Sequence, residues 1–446
     1  MDAEARYRAV EGRDPRFAGR FFLGVRTTGV FCRPGCPART PRRENVVFFE
    51  SAAAAREAGF RACLRCRPEA AKAPDTARTL ARALRLLEES GDPRGLAEKL
   101  GVSDRHLRRI FSRHLGAPPA VVLRTRRLEL ARQLIENSSL SMTEVAHASG
   151  FASLRRFNEA VRGGFGSAPT RLRKQAAAAP AAATLSLRLA FQPPLDFEAL
   201  LAFFERRALP GLESVAGGTW TRALAEGPLE VRRAGPGHLE VRMPAALAPQ
   251  ALQIAARVRR VFDLGADPRA IEQHLARDAG LRPFLRPGLR VPGAWDPFEM
   301  SVRAILGQQI SVQRARELAL RLSREHGLTP QALAEADVRG MPGVRARAIV
   351  ELSRAVLDGR VRLDGSQDLE ALTAALGELP GIGDWTAQLI GLRALGEPDA
   401  FPAADLGLCQ AMRMTPVELR ARAEKWRPWR GYAAAAVWLS DQRSES

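Results

Sequence analysis

Four of the five cysteines fall within the first 66 residues, as Cys32-x3-Cys36 and Cys63-x2-Cys66, with 26 residues between the pairs. No other feature limits the fold so tightly. Two close cysteine pairs match a tetrahedral four-thiolate zinc site with Zn–S bonds of about 2.3 Å. Buried free thiols and iron–sulfur ligands are the other readings of the pattern. A domain of about 70 residues gains much of its stability from such a metal. Four thiolates on Zn2+ leave a net negative site, which keeps the sulfurs electron-rich, so a thiolate there can be a nucleophile as well as a ligand. Spacing does not say whether one is.

Charge narrows the partner. Arg and Lys outnumber Asp and Glu 68 to 49, a net charge of +19. Such a balance favours a polyanion, with nucleic acid first; a GC-rich genome that places Arg on solvated faces explains the same numbers. No apolar run approaches the roughly 18 residues a membrane span needs, and Met1-Asp2-Ala3-Glu4 does not open a signal peptide. The expectation is a monomer without a membrane partner, in a reducing bacterial cytoplasm and associated with the nucleoid.

Composition divides the rest of the chain. Residues 75–174 are helical and rich in Arg. Within them LAEKLGVSDRHLRRIFSRHLG, 96–116, reads as a helix-turn-helix, with Gly101 at the turn and Ser103 as N-cap. Leu107 and Ile110 face inward on the second helix, leaving Arg105, Arg108, Arg109 and Arg113 outward. Residues 143–170 repeat the plan, with Gly150 at the turn, Ser153 as cap and Phe157 inward. There Arg155, Arg156 and Asn158 face outward. An ordinary helical bundle with solvated arginines is the other reading.

QAAAAPAAAT follows, and 175–183 reads as an Ala/Pro linker. TLSLRLAF then alternates at period two, which marks a strand, and 228–243 reads as a hairpin around Ala-Gly-Pro-Gly. From about 295 helical periodicity returns, interrupted by MPGV at 341–344 and LPGIG at 379–383. In LPGIGDWTAQLIG, Gly381 and Gly383 precede a helix start, so backbone amides can approach a phosphate closely and the helix terminus adds positive potential. This is a helix-hairpin-helix. AFPAADLGLCQ follows, with Asp405 22 residues past Gly383.

Three resemblances fit these segments. FFLGVRTTGVFCRPGCPART with AGFRACLRCRP, over residues 21–68, resembles the N-terminal domain of the Ada adaptive-response regulator. That resemblance implies that Cys32 takes a methyl group from a DNA methylphosphotriester while Cys36, Cys63 and Cys66 remain zinc ligands. Methylation turns a thiolate into a neutral thioether, so affinity for phosphates should rise. The two helix-turn-helix units resemble an AraC-type DNA-binding domain, which implies major-groove recognition helices and RNA polymerase as a partner. WDPFEMSVRAILGQQISVQRA, GMPGVRARAI, WRPWRGYAAAAVWLS and the segment 191–213 resemble the AlkA-type 3-methyladenine glycosylase.

The glycosylase resemblance implies that a damaged nucleotide is flipped into an aromatic pocket, where a cationic alkylated base gains cation–π attraction. Trp385 and Trp438 match the pocket aromatics, although either could be plain core. Asp405 matches the carboxylate that stabilises the sugar as the base leaves. Gln309 is the candidate for filling the gap the flipped base leaves, where an apolar wedge is also common. Lyase-type members carry Lys where this chain has Trp385, so a monofunctional enzyme is implied. Ala404 stands where a second acid often sits, and Leu406-Gly407 replaces a more aromatic stretch. Cys409 reads as a small core residue. No Pro-Cys-His-Arg motif of a guanine methyltransferase occurs.

The expected architecture is multidomain and mainly α. It comprises a small α/β zinc domain (1–72), an all-α double helix-turn-helix domain (75–174), the linker (175–183), an α/β glycosylase N-terminal domain (184–290) and an all-α helix-hairpin-helix domain (291–446). The expected partners are double-stranded DNA, alkylated or promoter, and Zn2+ is the expected cofactor. The competing reading is a DNA-binding activator whose glycosylase half is catalytically inactive.

Overall fold

The computed structural model describes residues 3–11, 21–32, 34, 36, 38–49, 52–63, 65, 76–175 and 184–440. Cys66 and linker residues 176–183 lie outside the described residues. Among the described residues the chain is mainly helical with two small sheets, and it divides into two compact units, 1–81 and 82–446. Among the described residues no helix is long and apolar enough to cross a membrane.

The first unit contains α1 (Ala3–Glu11), β1 (Phe22–Val25), β2 (Val30–Cys32), β3 (Val46–Phe49), α2 (Ala52–Glu57) and β4 (Arg61–Ala62). Its sheet has the order β3-β1-β2-β4. Pairing is antiparallel except between β2 and β4, which run parallel. The core is small: Phe21, Leu23 and Val46 from the sheet pack with Tyr7 and Val10 of α1 and with Cys32 and Cys63. Among the described residues this cluster is small, and a domain of this size gains from a further source of stability.

The division between the units falls within α3 (Thr76–Ser90). There follow α4 (Leu96–Lys99), α5 (Asp104–Leu115), α6 (Pro119–Asn137), α7 (Met142–Ala148), α8 (Leu154–Phe165) and α9 (Pro169–Gln175). Gln175, placed in the linker by composition, closes α9. Both short helix-turn-helix joints turn on a left-handed glycine, Gly101 at φ +66° and Gly150 at φ +81°, a conformation that costs glycine nothing.

The second sheet is antiparallel throughout, in the order β5-β9-β8-β7-β6. It is built from β5 (Thr184–Ala190), β6 (Glu213–Ala216), β7 (Thr219–Leu224), β8 (Gly227–Arg233) and β9 (His238–Pro244), with α10 (Phe197–Glu205) before β6. Leu185, Leu187 and Leu189 are buried on β5 while Thr184, Arg188 and Ala190 are exposed and Ser186 is half-buried, as period-two alternation requires. After the sheet come α11 (Ala251–Val261) and α12 (Pro268–Leu275).

The remaining helices are α13 (Pro297–Leu306), α14 (Val312–Glu325), α15 (Pro330–Leu333), α16 (Gly343–Leu357), α17 (Leu369–Gly377), α18 (Asp384–Arg393), α19 (Leu406–Met412), α20 (Pro416–Ala423) and α21 (Arg430–Ser440). Side chains of Asp296, Ser311, Thr329, Asp368, Asp405 and Thr415 cap helix starts by accepting backbone N–H bonds. Such caps contribute about 1 kcal/mol each. The core runs from Phe298 and Ile305 through Leu352 and Leu372 to Ile390.

Buried charges tie the sheet to these helices. Arg222 of β7 meets Glu299 of α13 at 2.7 Å, and Arg303 meets Glu213 at 2.7 Å. Asp263 accepts a bond from Tyr432 Oη at 2.7 Å and from Val291 N–H at 3.2 Å. Its residue retains some exposure, yet the carboxylate is enclosed, and burial pushes its pKa up to about 6 against those hydrogen bonds.

A group with a raised folded pKa stabilises the fold fully at low pH and loses that contribution as pH rises through the folded value. The window here is about pH 4 to 6, and a shift of about two units is worth at most about 3 kcal/mol. Relative to Asp263→Asn, which keeps the shape and removes the titration, the wild-type urea midpoint should therefore fall as pH rises from 4 to 7. A flat difference across that range counts against the buried ionisation.

Candidate functional site

The thiols are brought together by strand register. Parallel pairing sets Val30 beside Arg61 and Phe31 beside Ala62, so Cys32 and Cys63 leave their strands as neighbours. Cys63 N–H donates to the Phe31 carbonyl at 3.0 Å. The Sγ atoms of Cys32, Cys36 and Cys63 all lie within 4.8 Å of one another. Ligands at about 2.3 Å on a tetrahedral ion stand about 3.8 Å apart, so the three thiols fit one zinc ion. Cys32 and Cys63 are buried and Cys36 is half-buried.

In the helix-turn-helix units, Ser103 accepts from His106 N–H at 3.2 Å and Ser153 from Arg156 N–H at 3.3 Å. These caps fix where α5 and α8 begin. Leu107, Ile110 and Phe111 are buried on α5, and Phe157, Ala160 and Val161 on α8. Arg105, Arg108, Arg109, Arg113, Arg155 and Arg156 are exposed, and Asn158 is half-buried. Arg109 holds His106 Nδ1 at 2.9 Å, and Arg155 faces Glu159 at 3.6 Å across one helical turn. Exposed pairs of this kind are weak, so the guanidiniums stay available to a stronger anion.

The third site is organised around Asp405. Its Oδ1 caps α19 through Leu408 N–H at 3.1 Å. The same oxygen accepts from Trp438 Nε1 at 3.2 Å, and Oδ2 accepts from Trp385 Nε1 at 3.1 Å. Both indoles thus donate to the carboxylate while remaining half-exposed. Cys409 is not core: it is half-buried and donates to the Ala403 carbonyl at 3.4 Å. Burial, and then the negative charge of Asp405, push its thiol pKa up.

Trp385 enters α18 from the hairpin between α17 and α18. Gly381 sits at φ +78°, where an added methyl would meet Val344 Cγ1 at 2.9 Å. Gly383 has an ordinary φ of −91° and faces open space. The two glycines therefore serve different ends, one the turn and the other close approach from outside. Gln309 is exposed with φ +54°, a strained value for a side-chain-bearing residue.

Two further residues near these groups, Gln308 and Arg207, are silent in the sequence. Gln308 Nε2 donates to the Gly381 carbonyl at 2.8 Å and to Thr386 Oγ1 at 2.9 Å, and its own carbonyl accepts from Arg345. It locks the Gln309 turn to the hairpin. Arg207, just beyond α10, lies within electrostatic reach of Asp405; burial, then Arg206 and Arg303, bring its pKa down to about 9. Its guanidinium stands 3.8 Å from the centre of the Phe203 ring, and Arg393 stands 4.8 Å from the same ring. The nearest signal for this arrangement, an aromatic four residues before Arg, is common in any helix.

Comparison with known proteins covers all three sites. The metal binding domain of Ada matches residues 5–69, a helix-turn-helix domain matches 96–175, and the AlkA N-terminal domain matches 186–296. A probable bifunctional transcriptional activator/DNA repair enzyme AlkA of Mycobacterium tuberculosis is 39% identical over 98% of this chain and 96% of its own length. DNA-3-methyladenine glycosylase 2 of Escherichia coli is 37% identical over 57% of this chain and 96% of its own. The bifunctional transcriptional activator/DNA repair enzyme Ada of Escherichia coli is 37% identical over 32% of this chain and 42% of its own.

Proposed function

We infer what each part of the chain does from one premise: it belongs to the family of bifunctional transcriptional activators and DNA repair enzymes that unites Ada-type and AlkA-type domains. It is an alkylation-damage response protein with a regulator half and a glycosylase half. We divide it as 1–72, 75–174, 184–290 and 291–446, with a linker at 175–183. Its cofactor is Zn2+, and its partners are double-stranded DNA, alkylated or promoter, with RNA polymerase reached from the promoter. We place the protein, a monomer, in the bacterial cytoplasm at the nucleoid.

Cys32, Cys36, Cys63 and Cys66 would hold the zinc ion, which would keep the bound sulfurs as thiolates at neutral pH. Cys32 Sγ attacks the methyl carbon of a DNA methylphosphotriester. An S–C bond forms, the C–O bond breaks, and the phosphodiester departs with the electron pair and its negative charge. The neutral thioether leaves one charge fewer facing the phosphates, so DNA affinity rises, and Arg105, Arg108, Arg109, Arg155 and Arg156 engage the major groove and its phosphates.

In the glycosylase half the amides near Gly381 and Gly383 hold a backbone phosphate. Gln309 enters the gap left by the flipped nucleotide, and the base stacks near Trp385 and Trp438. The Asp405 carboxylate then stabilises positive charge on the sugar as 3-methyladenine, 7-methylguanine or a related base leaves, and water completes the hydrolysis. The convergence of both indole N–H groups on Asp405 carries this reading, because it fixes the carboxylate before substrate arrives. No lysine follows the hairpin, so an unbroken strand with an abasic site is the product.

The test is base release from methylated duplex by the full chain. Free 3-methyladenine with a strand that breaks only on alkaline treatment is expected; equal traces from wild type and Asp405→Asn would point to the inactive activator. The hairpin is tested separately. Gly383→Ala should leave stability unchanged and weaken duplex binding, whereas Gly381→Ala should destabilise the fold by about 1–3 kcal/mol through its positive φ. Unchanged binding of Gly383→Ala would remove the phosphate from this turn.

A further inference from the structure

The helix-turn-helix part of the regulator, from residue 82 on, shares the unit 82–446 with the glycosylase half, and the chain between them, at 176–183, is seven Ala and one Pro. A linker of that composition needs no partner surface. The structure nevertheless places a patterned set of polar contacts across the two halves, most of them on one face of α3.

Arg82 is 8% exposed. Its Nε donates to the Gly365 carbonyl at 3.2 Å, and a second N–H donates to the Ser366 carbonyl. Those carbonyls lie just before Asp368, the cap of α17. One turn along α3, the Arg85 guanidinium is 4.0 Å from Glu397, in the loop after α18. An added methyl on Gly365 would lie 3.0 Å from Arg85, so that side chain fills the space beside the loop. A further turn along, Glu89 pairs with Arg260 of α11. Helices α17 and α18 are joined by the hairpin at 378–383. Arg82 and Arg85 therefore hold the opposite, open end of the helix-hairpin-helix and leave the hairpin uncovered.

A second element supports the same seam. Strand β5 ends the sheet, and among the described residues no strand pairs with its outer edge. Gln133 of α6 meets it as a strand would: its Nε2 donates to the Arg188 carbonyl at 3.0 Å, and its Oε1 accepts from Arg188 N–H at 2.7 Å. An unpaired edge invites association with other chains, and here a side-chain amide covers part of it. The charges are crossed: α3 offers cations to Glu397 and an anion to Arg260. Crossed charges select one register and penalise slippage. Burial pulls the Arg82 and Arg85 pKa values down against the attraction of Glu397; the Gly365 and Ser366 carbonyls offset that cost for Arg82, and Arg85 meets Glu397 as an ion pair without a hydrogen bond.

We propose that α3 and α6 of the regulator form a docking surface for the glycosylase half of the same chain, buttressing the open end of its helix-hairpin-helix. On this account the two halves are held by the seam rather than by the linker, and the recognition helices α5 and α8 are carried on the body that grips damaged DNA. The seam stands whether or not a base is released at Asp405.

The test uses the full chain with a protease site introduced within 176–183. After cleavage, the pieces from the otherwise wild-type chain should migrate together in gel filtration. Glu89→Arg should raise their dissociation constant at least about tenfold, as close interfacial charge pairs do. Combining it with Arg260→Glu should restore co-migration. Separation of the wild-type pieces on cleavage would overturn the seam. So would failure of the exchanged pair to restore association while base release by both uncut variants stays normal.

Discussion

Replacing Asp405 by asparagine should lower single-turnover release of 3-methyladenine by about 10²- to 10³-fold, the loss found when one preorganised electrostatic stabiliser is removed. The substitution keeps volume and removes charge. It also leaves three donors for one remaining acceptor oxygen. If that oxygen takes the Oδ1 place, it keeps the Leu408 and Trp438 bonds, and the new amide N–H2 faces Trp385 Nε1, formerly 3.1 Å from Oδ2. Two donors repel, so Trp385 should move as well. Duplex binding through the hairpin should be retained, because Gly381 and Gly383 do not touch Asp405. A release rate within tenfold of wild type would assign the chemistry elsewhere.

The second large effect concerns Cys32. After exposure to methylphosphotriester DNA, mass spectrometry of the full chain should find one added CH2, on the peptide that holds Cys32. Cys32→Ala should abolish the gain entirely. Exposure alone favours a different thiol, since Cys32 is 7% exposed while Cys36 is half-buried. Methyl on Cys36, or on neither, therefore refutes the assignment. Chelation of zinc should abolish transfer too, because structural zinc supplies about 10–16 kcal/mol to small domains and the apolar cluster around Cys32 and Cys63 holds seven buried residues among those described. Base release by the chelated chain should continue, as Asp405 lies in the other unit.

Together the two expectations separate a protein that is consumed by sensing from one that turns over. They also bear on the competing reading of a binding-only glycosylase half. That reading has nothing to say about why two indoles 20 and 33 residues from Asp405 both spend their N–H groups on its carboxylate.

Local chemistry was legible without a structure. Ser103 and Ser153 read as caps because a short hydroxyl at a helix start has few better uses, and both accept the expected N–H bonds. The strands at 184–190 and 228–243 followed from period-two alternation. Gly381 announced its turn, and its φ is +78°. Cys32, Cys36 and Cys63 read as one site from spacing, and their sulfurs converge. Each of these signals operates over a few residues, or between segments paired by a familiar cysteine pattern.

What the amino-acid sequence determined by itself was therefore the identity of the parts: a thiol cluster, two capped recognition helices, a glycine hairpin and an acid at a helix start. Only the tertiary structure decided how they combine. It turned Trp385 and Trp438 into donors to Asp405, brought Arg207 toward that carboxylate from 198 positions earlier in the chain, and set Gln308 as the latch between two turns. It also pressed Arg82 and Glu89 of the regulator onto the glycosylase. The reason is physical. Caps, turns and strand periodicity are set by backbone geometry among neighbours, whereas an exposed Arg and a buried, partnered Arg obey the same local pattern until a distant surface closes over one of them.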